Sequence, residues 1–343
     1  NKGDETYVLT YNRLRREGPG SLPVEETINK VRVVRLKFEV TWSHGTYSTE
    51  LPEALKSLRP DVVHVHVWRH PHVFQVAKLK RGSSFKTVLH GHAPFYNMKQ
   101  LGFATWTYHR LTDLFAKKIL KTYDAVIALT PYEKRLLVGR LGVDEDKAKV
   151  IPNGVDDDLF RRAENCPLNN SVNPTVLYVG RLSREKNVDL LIRAMYHAVK
   201  KVKNAELVLA GPDDGTRSKP RPHQEASFAR YVGLVDEEAK LRLYISSKIF
   251  SNPSTYEGFG LALLEAQAFG KPCVITGDGG QLYAAPPGKV SLYAKPSPKD
   301  FGEAISLLLE DEELYKKLSA NAKDWASQHS WSKILFRYDE VYS

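Results

Sequence analysis

The sequence predicts an α/β protein with two parallel-sheet domains. A length of 343 residues, at about 150 residues per domain, allows roughly two domains. Short β-rich runs alternate with helical patterns along nearly the whole chain, which is typical of parallel α/β units. A polar stretch without periodicity at 165–171 interrupts this alternation once, in the middle. These three observations together predict two domains joined by a linker.

The predicted strands are short runs rich in β-branched and aromatic residues. They fall at 6–10, 31–37, 61–67, 86–90, 125–129, 175–179, 206–210, 230–235, 248–251, 272–276 and 290–294. Between them, apolar residues recur every three or four positions at 106–123, 187–202, 260–270 and 299–310. This spacing predicts helices whose apolar side faces the core. The irregular stretch from Gly211 to Gln224 predicts a mobile surface loop.

The composition argues against several classes of protein and indicates which ligands the surface charge favours. Lys and Arg total 50 against 40 Asp and Glu, a net charge of +10, which favours phosphorylated ligands, polyanions or anionic membranes without choosing among them. The two cysteines, Cys166 and Cys273, are far apart in sequence, which argues against a disulfide scaffold or a Cys-based zinc site. No apolar run approaches the roughly 18 residues of a membrane-spanning helix. We therefore expect a cytoplasmic protein, at most peripheral at the inner membrane face.

The segment at 252–266 reads as a strand, a glycine turn and the start of a helix. Gly258 and Gly260 would let the backbone approach a ligand, and the free N–H groups of the first helical turn attract phosphate. Glu257 precedes the turn and Glu265 follows eight residues later, about two helical turns inside. The two carboxylates could accept hydrogen bonds from hydroxyl groups at both ends of a phosphorylated sugar. A capped helix with one solvent-facing glutamate is the structural alternative.

Arg181 and Lys186 lie in a loop that follows a predicted strand and precedes a helix, the place where open α/β sheets bind ligands. Fixed cations there could stabilise a departing nucleotide diphosphate. An ordinary solvated basic loop remains the alternative.

Histidine is concentrated in one part of the first half: His64, His66, His70, His72, His90 and His92. A His-x-His pair on a strand puts both rings on one face, as in some metal sites. Only Asp61 is near enough in sequence to add a carboxylate, so we expect no metal and interpret His64 and His66 as strand residues at the edge of a cleft. His90 ends a predicted strand, where it could meet a ligand. A hydrogen-bonded structural histidine is the alternative for His90 and for His92.

Several of these segments resemble the retaining glycosyltransferases of family 4, which have the GT-B fold. The similar segments occur in the family's order and are DVVHVH at 61–66, IPNGVD at 151–156, GRLSREKN at 180–187 and EGFGLALLE at 257–265. Ser330, Trp331, Ser332 and Tyr338 resemble the family's last helix, which crosses back to the first domain. The resemblance implies two Rossmann-like domains facing across a cleft. We place the first at 1–165, with the terminal helix 331–343 packed on it, and the donor-binding domain at 172–328.

The resemblance also implies a reaction, the transfer of a sugar from a UDP, GDP or ADP sugar to an acceptor hydroxyl with retention at the anomeric carbon. This is a hexosyltransferase activity of carbohydrate biosynthesis that needs neither a metal nor another cofactor. Arg181 and Lys186 would stabilise the diphosphate, Glu265 would hold the ribose, and Glu257 and His90 would position the sugar. The other donor-binding candidates are Gly180, Gly258, Phe259, Gly260 and Leu261. The acceptor-side candidates are His92, His66 and Asn153.

The sequence departs from the family pattern in three places. Family members begin with a strand, a glycine-rich loop and a helix ahead of the strand at 6–10, so we expect the native chain to extend upstream of Asn1. The stretch 279–283 lacks the glutamate usual after the glycine pair, and 211–229 is short for the helix expected there.

Other functions fit parts of the same evidence. A nucleotide-sugar epimerase or a sugar phosphorylase would use the same architecture, a metal hydrolase would use the histidine cluster, and a non-catalytic sugar-nucleotide-binding protein would use only the donor site. The acceptor is expected to be a glycan, a glycolipid or a small molecule, that is, a sugar or a lipid-linked acceptor, and nucleic acid is not an expected partner. Contact with an anionic membrane would use basic residues of the first domain: Arg13, Arg15, Arg16, Lys78, Lys80, Arg81, Lys117, Lys118 and Lys121.

Overall fold

The computed structural model describes residues 3–14, 18–19, 22–42, 45–92, 95–164, 174–213 and 226–343. The predicted linker at 165–171, and with it the boundary between the two expected domains, lies outside the described residues. So does 214–225, which holds most of the predicted surface loop. We refer below to 3–164 as the N-terminal half and to 174–343 as the C-terminal half.

The described strands of the N-terminal half form two larger sheets and two hairpins. The strands are β1 (Tyr7–Tyr11), β2 (Arg13–Leu14), β3 (Gly18–Pro19), β4 (Glu25–Ile28), β5 (Val31–Leu36), β6 (Val40–Trp42), β7 (Gly45–Tyr47), β8 (Val62–His66), β9 (Lys86–His90), β10 (Ala125–Ala128) and β11 (Ala148–Val150). One sheet has the order β1-β5-β4, and the other is parallel with the order β11-β10-β9-β8. Within the described ranges, β1 and β8 are therefore edge strands of separate sheets.

The helices of this half mostly connect the parallel strands. They are α1 (Glu50–Leu58), α2 (Pro71–Lys80), α3 (Met98–Leu101), α4 (Phe103–Leu114), α5 (Ala116–Leu120), α6 (Pro131–Leu141) and α7 (Asp157–Glu164). Local sequence fixes the ends of α6. The Thr130 side chain accepts a hydrogen bond from the Glu133 N–H, Pro131 opens the helix, and Gly142 ends it in the left-handed conformation, so both ends carry favourable capping residues.

The C-terminal half is built on one parallel sheet with the order β14-β13-β12-β15-β17-β19. Its strands are β12 (Thr175–Val179), β13 (Glu206–Ala210), β14 (Ala229–Gly233), β15 (Ile249–Asn252), β16 (Tyr256–Glu257), β17 (Cys273–Ile275), β18 (Asp278–Gly279) and β19 (Ser291–Tyr293). Its helices are α8 (Val188–Lys201), α9 (Glu237–Ser246), α10 (Leu261–Ala268), α11 (Gln281–Ala284), α12 (Pro298–Glu310), α13 (Glu312–Ser327), α14 (Trp331–Ile334) and α15 (Phe336–Tyr342).

Helices cover both faces of this sheet, so its strands are apolar on both sides. On β12, Val176 and Tyr178 pack into one core cluster with α8 and α12, whereas Leu177 packs into the opposite cluster with α10. Alternation of this kind, with both sets of side chains buried, is expected for parallel strands enclosed by helices.

The end of the chain returns to the N-terminal sheet. Ile334, Tyr338 and Val341 are buried against residues of β9 and β10, and the Tyr342 hydroxyl lies 2.6 Å from His64 Nδ1. The crossing begins beside β11, where the Val155 N–H donates to the His329 carbonyl. The predicted crossing of the terminal helix is therefore confirmed.

The eleven predicted strands are all present, within two residues of their expected ends. Three of the four predicted helices correspond to α8, α10 and α12. The prediction of one core-facing helix over 106–123 was wrong, because that segment divides into α4 and α5 and none of the α4 residues is fully buried. In the described part of the chain, no helix combines the length and the apolar character needed to cross a bilayer.

Candidate functional site

The glycine turn ahead of α10 is held by a second glycine turn. Glu257 on β16 pairs with Gly279 on β18, and the Gly280 N–H donates to the Glu257 carbonyl at 2.7 Å. Gly260 has φ +99° and precedes the first residue of α10, Leu261. The first-turn N–H groups of α10 therefore open directly onto this turn, an arrangement that suits an anion.

Gly280→Ala is expected to disrupt this turn. A Cβ at position 280 would lie 2.0 Å from the Gly258 carbonyl oxygen, a backbone atom that cannot rotate aside. Overpacking of this kind costs about 1–3 kcal/mol, so we expect a lower melting temperature and donor binding weaker by about tenfold. Differential scanning calorimetry and calorimetric titration with the nucleotide diphosphate measure the two effects. Gly139→Ala is the matched control, since nothing lies within 4 Å of its Cβ position. An unchanged affinity in Gly280→Ala would contradict the role of this turn.

Glu257 is buried and bound to a cation. Lys186 Nζ lies 2.7 Å from each of its carboxylate oxygens, and the Ser254 hydroxyl donates to Oε1 at 2.6 Å. Asn252 Nδ2 is 3.4 Å from the same oxygen. A carboxylate that is only 8% exposed requires such partners, because burying an unpaired charge is costly. The structure thus joins Lys186 and Glu257, two predicted site residues that are 71 positions apart.

Arg181 lies in the loop between β12 and α8. Its Nη2 is 3.1 Å from Glu185 Oε1 and its side chain is 45% exposed. The Tyr178 hydroxyl donates to the Arg181 carbonyl at 2.8 Å, which fixes the backbone next to Gly180. This loop therefore presents Arg181, which is half-exposed, and Lys186, which is 20% exposed, to an anion at the glycine turn.

Glu265 has different partners from Glu257. The Tyr244 hydroxyl donates to its Oε2 at 2.7 Å, and Lys240 Nζ lies 3.3 Å from its Oε1. Burial raises the pKa of the fully enclosed Tyr244, and the Glu265 charge raises it further, so this phenol remains a hydrogen-bond donor. The two carboxylates are thus held in separate environments. Because α10 begins at Leu261, Glu265 lies just over one helical turn inside the helix and not two turns as expected.

A tyrosine from the N-terminal half reaches the same region. Tyr96 packs edge-on against Tyr256, with ring centroids 4.9 Å apart. Burial raises the pKa of Tyr96 to about 12, and the nearby charges of Glu257 and Glu185 add to this effect. Gln100 Nε2 also donates to Thr255 Oγ1 at 3.1 Å. The two halves therefore meet beside Glu257.

The histidines of β8 and β9, together with His92 just after β9, have stacked rings and contact the terminal helix through His64. The rings of His64 and His66 are 4.5 Å apart, those of His90 and His92 are 4.2 Å apart, and His66 Nδ1 lies 2.9 Å from His92 Nε2. Burial, together with the neighbouring imidazoles, lowers the pKa of His64 to about 3, of His90 to about 2 and of His92 to about 4. All three rings are therefore neutral at pH 7, and they would meet a ligand as hydrogen-bonding groups rather than as cations.

Among the described residues, the group best placed to hold a metal ion is His64, His66 and His90, whose donor atoms lie within 4.8 Å of one another. Metal ligation requires ring lone pairs that converge on one point. The rings of His64 and His66 are inclined by only 14° and those of His64 and His90 by 19°, so the rings are stacked. This stacking fits neutral imidazoles packed against one another, and the absence of a metal from the reaction stays a prediction.

Asn153 belongs to a different segment of the chain from the donor loops. It is half-buried in the crossing between β11 and α7, beside Gly154, and a Cβ on Gly154 would lie 2.5 Å from the Trp331 ring. This segment joins the sheet to the returning chain end. A role for Asn153 toward the acceptor stays a prediction.

Sequence reasoning missed several partners of the predicted residues. Asn252 and Ser254 carried a signal, because polar residues at the carboxyl end of a strand often meet ligands. Tyr244, Lys240 and Tyr96 carried none, since each lies on another element and reaches the site only through the tertiary fold.

Comparison with known proteins agrees with this geometry. Residues 1–159 match the family described as Glycosyltransferase Family 4, and residues 162–325 match the family described as Glycosyl transferases group 1. The chain is 25% identical over 380 residues to a D-inositol 3-phosphate glycosyltransferase of Corynebacterium aurimucosum, covering 98% of this chain and 86% of that protein.

Two solved structures have a similar fold. Sucrose-phosphate synthase from Thermosynechococcus elongatus superimposes with a TM-score of 0.79 at 23% identity, covering 99% of this chain and 89% of its own. HepE from Anabaena, solved with UDP and glucose, gives a TM-score of 0.70 at 20% identity, with coverages of 91% and 86%. The family matches favour glycosyl transfer over the epimerase, phosphorylase and hydrolase alternatives. The chain belongs to glycosyltransferase family 4, and it is a nucleotide-sugar-dependent glycosyltransferase with the two Rossmann-like domains of the GT-B fold.

Proposed function

We propose that this enzyme transfers the sugar with retention at the anomeric carbon, using fixed protein cations in place of a metal. The observation that carries the proposal is the placement of Lys186 Nζ at 2.7 Å from both oxygens of Glu257, beside the glycine turn and the half-exposed Arg181. A departing nucleotide diphosphate develops negative charge, and preorganised cations stabilise it most where water is excluded.

In this proposal the donor lies across the glycine turn. Its diphosphate meets the N–H groups at the start of α10 and the side chains of Arg181 and Lys186, while Glu265 holds the ribose. Lys186 meets the diphosphate while it stays paired with Glu257, and the carboxylate accepts further hydrogen bonds from sugar hydroxyls. His90 accepts or donates one hydrogen bond to the same sugar as a neutral imidazole, and His92, His66 and Asn153 lie on the acceptor side.

The donor nucleotide is UDP, GDP or ADP, and UDP is the first to test because HepE was solved with it. The acceptor is a glycan, a glycolipid or a small molecule. A peripheral contact with an anionic membrane belongs to the same proposal and is supported by the net charge of +10. Within the predicted basic set, Lys117, Lys118 and Lys121 are exposed, but Lys80 pairs with Asp124 at 2.8 Å. Arg15 and Arg16, and the side chain of Arg13, lie outside the described residues.

The test combines product analysis with chelation. A panel of nucleotide sugars is screened by thermal shift, and the best donor is incubated with candidate acceptors. We expect nucleotide diphosphate and a glycoside of unchanged anomeric configuration by NMR, with the rate unaffected by EDTA. Arg181→Ala should lower turnover about tenfold or more. An inverted product would refute retention, and loss of activity in EDTA with rescue by Mg²⁺ or Mn²⁺ would refute the cationic role of the loop.

A further inference from the structure

The segment α4–α5 exposes an unusual amount of apolar surface. Four large side chains have exposed fractions between 56% and 75%: Phe103, Leu111, Leu114 and Phe115. At 100° per residue, these positions fall within about one third of the helix circumference. Large contiguous apolar patches are uncommon on proteins that remain free in water and mark docking surfaces.

Other side chains of α4 hold the helix to the protein by polar contacts. The Tyr108 hydroxyl donates to the Arg69 carbonyl at 2.7 Å. Asp113 accepts hydrogen bonds from Arg69 Nε at 2.8 Å, from Arg140 Nη2 at 3.2 Å and from Trp68 Nε1 at 3.3 Å. The helix is therefore inverted relative to an ordinary surface helix, which buries its apolar face and exposes its polar one.

Positive charge surrounds the exposed apolar residues. Arg110, Lys117, Lys118 and Lys121 are exposed, whereas the one acid between Phe103 and Lys121, Asp113, is directed inward to Arg69 and Arg140. The Arg110 guanidinium also lies over the Trp106 ring at 5.6 Å. The cores of protein interfaces are depleted in lysine, but apolar and aromatic side chains bordered by Lys and Arg are typical of surfaces that bind anionic lipid.

We propose that the α4–α5 face docks on an anionic lipid bilayer, with Phe103, Leu111, Leu114 and Phe115 entering the headgroup region. This inference rests on the proposed function, in which a lipid-linked acceptor brings the enzyme to a membrane. The neighbouring helix α3 contacts the donor half through Gln100 and Thr255. Docking by α4–α5 thus holds the cleft beside the lipid surface that carries the acceptor.

The experiment measures co-sedimentation with vesicles of phosphatidylcholine alone and of phosphatidylcholine mixed with phosphatidylglycerol. We expect binding to the mixed vesicles, weakened by high salt, and a blue shift of tryptophan fluorescence from Trp106. The double variants Leu114→Ser/Phe115→Ser and Lys117→Glu/Lys118→Glu should each bind the vesicles at least about tenfold more weakly than the wild type. Leu234→Ser, at a site 78% exposed, and Lys317→Glu, on α13, are matched controls that should bind as the wild type does.

Two measurements, the thermal shift with nucleotide diphosphate and the rate of glycosyl transfer, distinguish failure of the docking proposal from failure of the proposed reaction. The thermal shift produced by the best nucleotide diphosphate should be equal in all variants, because the altered side chains are exposed and none of them belongs to the donor loops. The docking proposal is overturned if the wild type ignores the mixed vesicles, or if Leu114→Ser/Phe115→Ser binds them normally. It is also overturned if that variant abolishes a lipid-free dimer, which would assign the face to a second copy of the chain. Vesicle binding without any glycosyl transfer would instead contradict the proposed reaction.

Discussion

Lys186→Ala should lower kcat by about a hundredfold or more, because removing one preorganised group that meets developing charge typically costs that much. Glu257→Gln should lower kcat to a similar extent. The neutral amide cannot form an ion pair with the Lys186 ammonium and also accept the Ser254 hydrogen bond as the carboxylate does. Both variants are measured with saturating donor and acceptor, after circular dichroism and melting curves have shown that they are folded.

The double variant provides a sharper result. Lys186 and Glu257 are in direct contact, so their effects should be less than additive in a double-mutant cycle. Lys201→Ala is the matched control, because Lys201 ends the same helix, α8, and is exposed. An unchanged kcat in Lys186→Ala would refute the proposal that Lys186 stabilises the departing diphosphate. Fully additive losses would show that the pair acts independently.

Glu265→Ala should weaken donor binding, with less effect on turnover at saturation. Losing a hydrogen bond to a charged group costs about 1.5–3 kcal/mol, which corresponds to an increase in Kd of about tenfold to a hundredfold. Tyr244→Phe removes the donor that orients Glu265 and should raise Kd by a smaller factor. Calorimetric titration with the nucleotide diphosphate measures both values.

The controls for this prediction come from the same half of the protein. Glu303→Gln changes an exposed carboxylate on α12 and should leave Kd unchanged. Equal donor affinity in the wild type, Glu265→Ala and Tyr244→Phe would refute the ribose assignment. A loss in kcat without a change in Kd would indicate that Glu265 contacts the transferred sugar and not the ribose.

Local pattern sufficed for the eleven predicted strands and for three of the four predicted helices, whereas further described strands such as β4 and β11 were not predicted. Runs such as 175–179 and 206–210 are apolar on both faces, which only a strand enclosed by helices requires, and their predicted bounds coincide with β12 and β13. The motifs also indicated where chemistry lies, because glycines, acids and cations after a strand mark the ligand edge of a parallel sheet.

The segment 106–123 shows where such reasoning fails. Its apolar residues recur at helical spacing, but periodicity shows neither the break between two helices nor the direction in which each apolar stripe faces. In the structure, Ala116 and Leu120 of α5 are buried, whereas Leu111 and Leu114 of α4 are exposed.

By itself, the sequence determined the alternation of the eleven predicted strands with helices, the positions of the glycines in the two turns and the identity of the charged residues near them. Only the tertiary structure decided how those residues are paired. Lys186 meets Glu257 across 71 positions, Tyr244 meets Glu265 across 21, and Tyr342 meets His64 across 278. Spacing along a chain fixes contacts only within one helix or between adjacent strands. Longer-range partners follow from how the elements pack, so the charge state and orientation of each site residue depend on the folded protein as a whole.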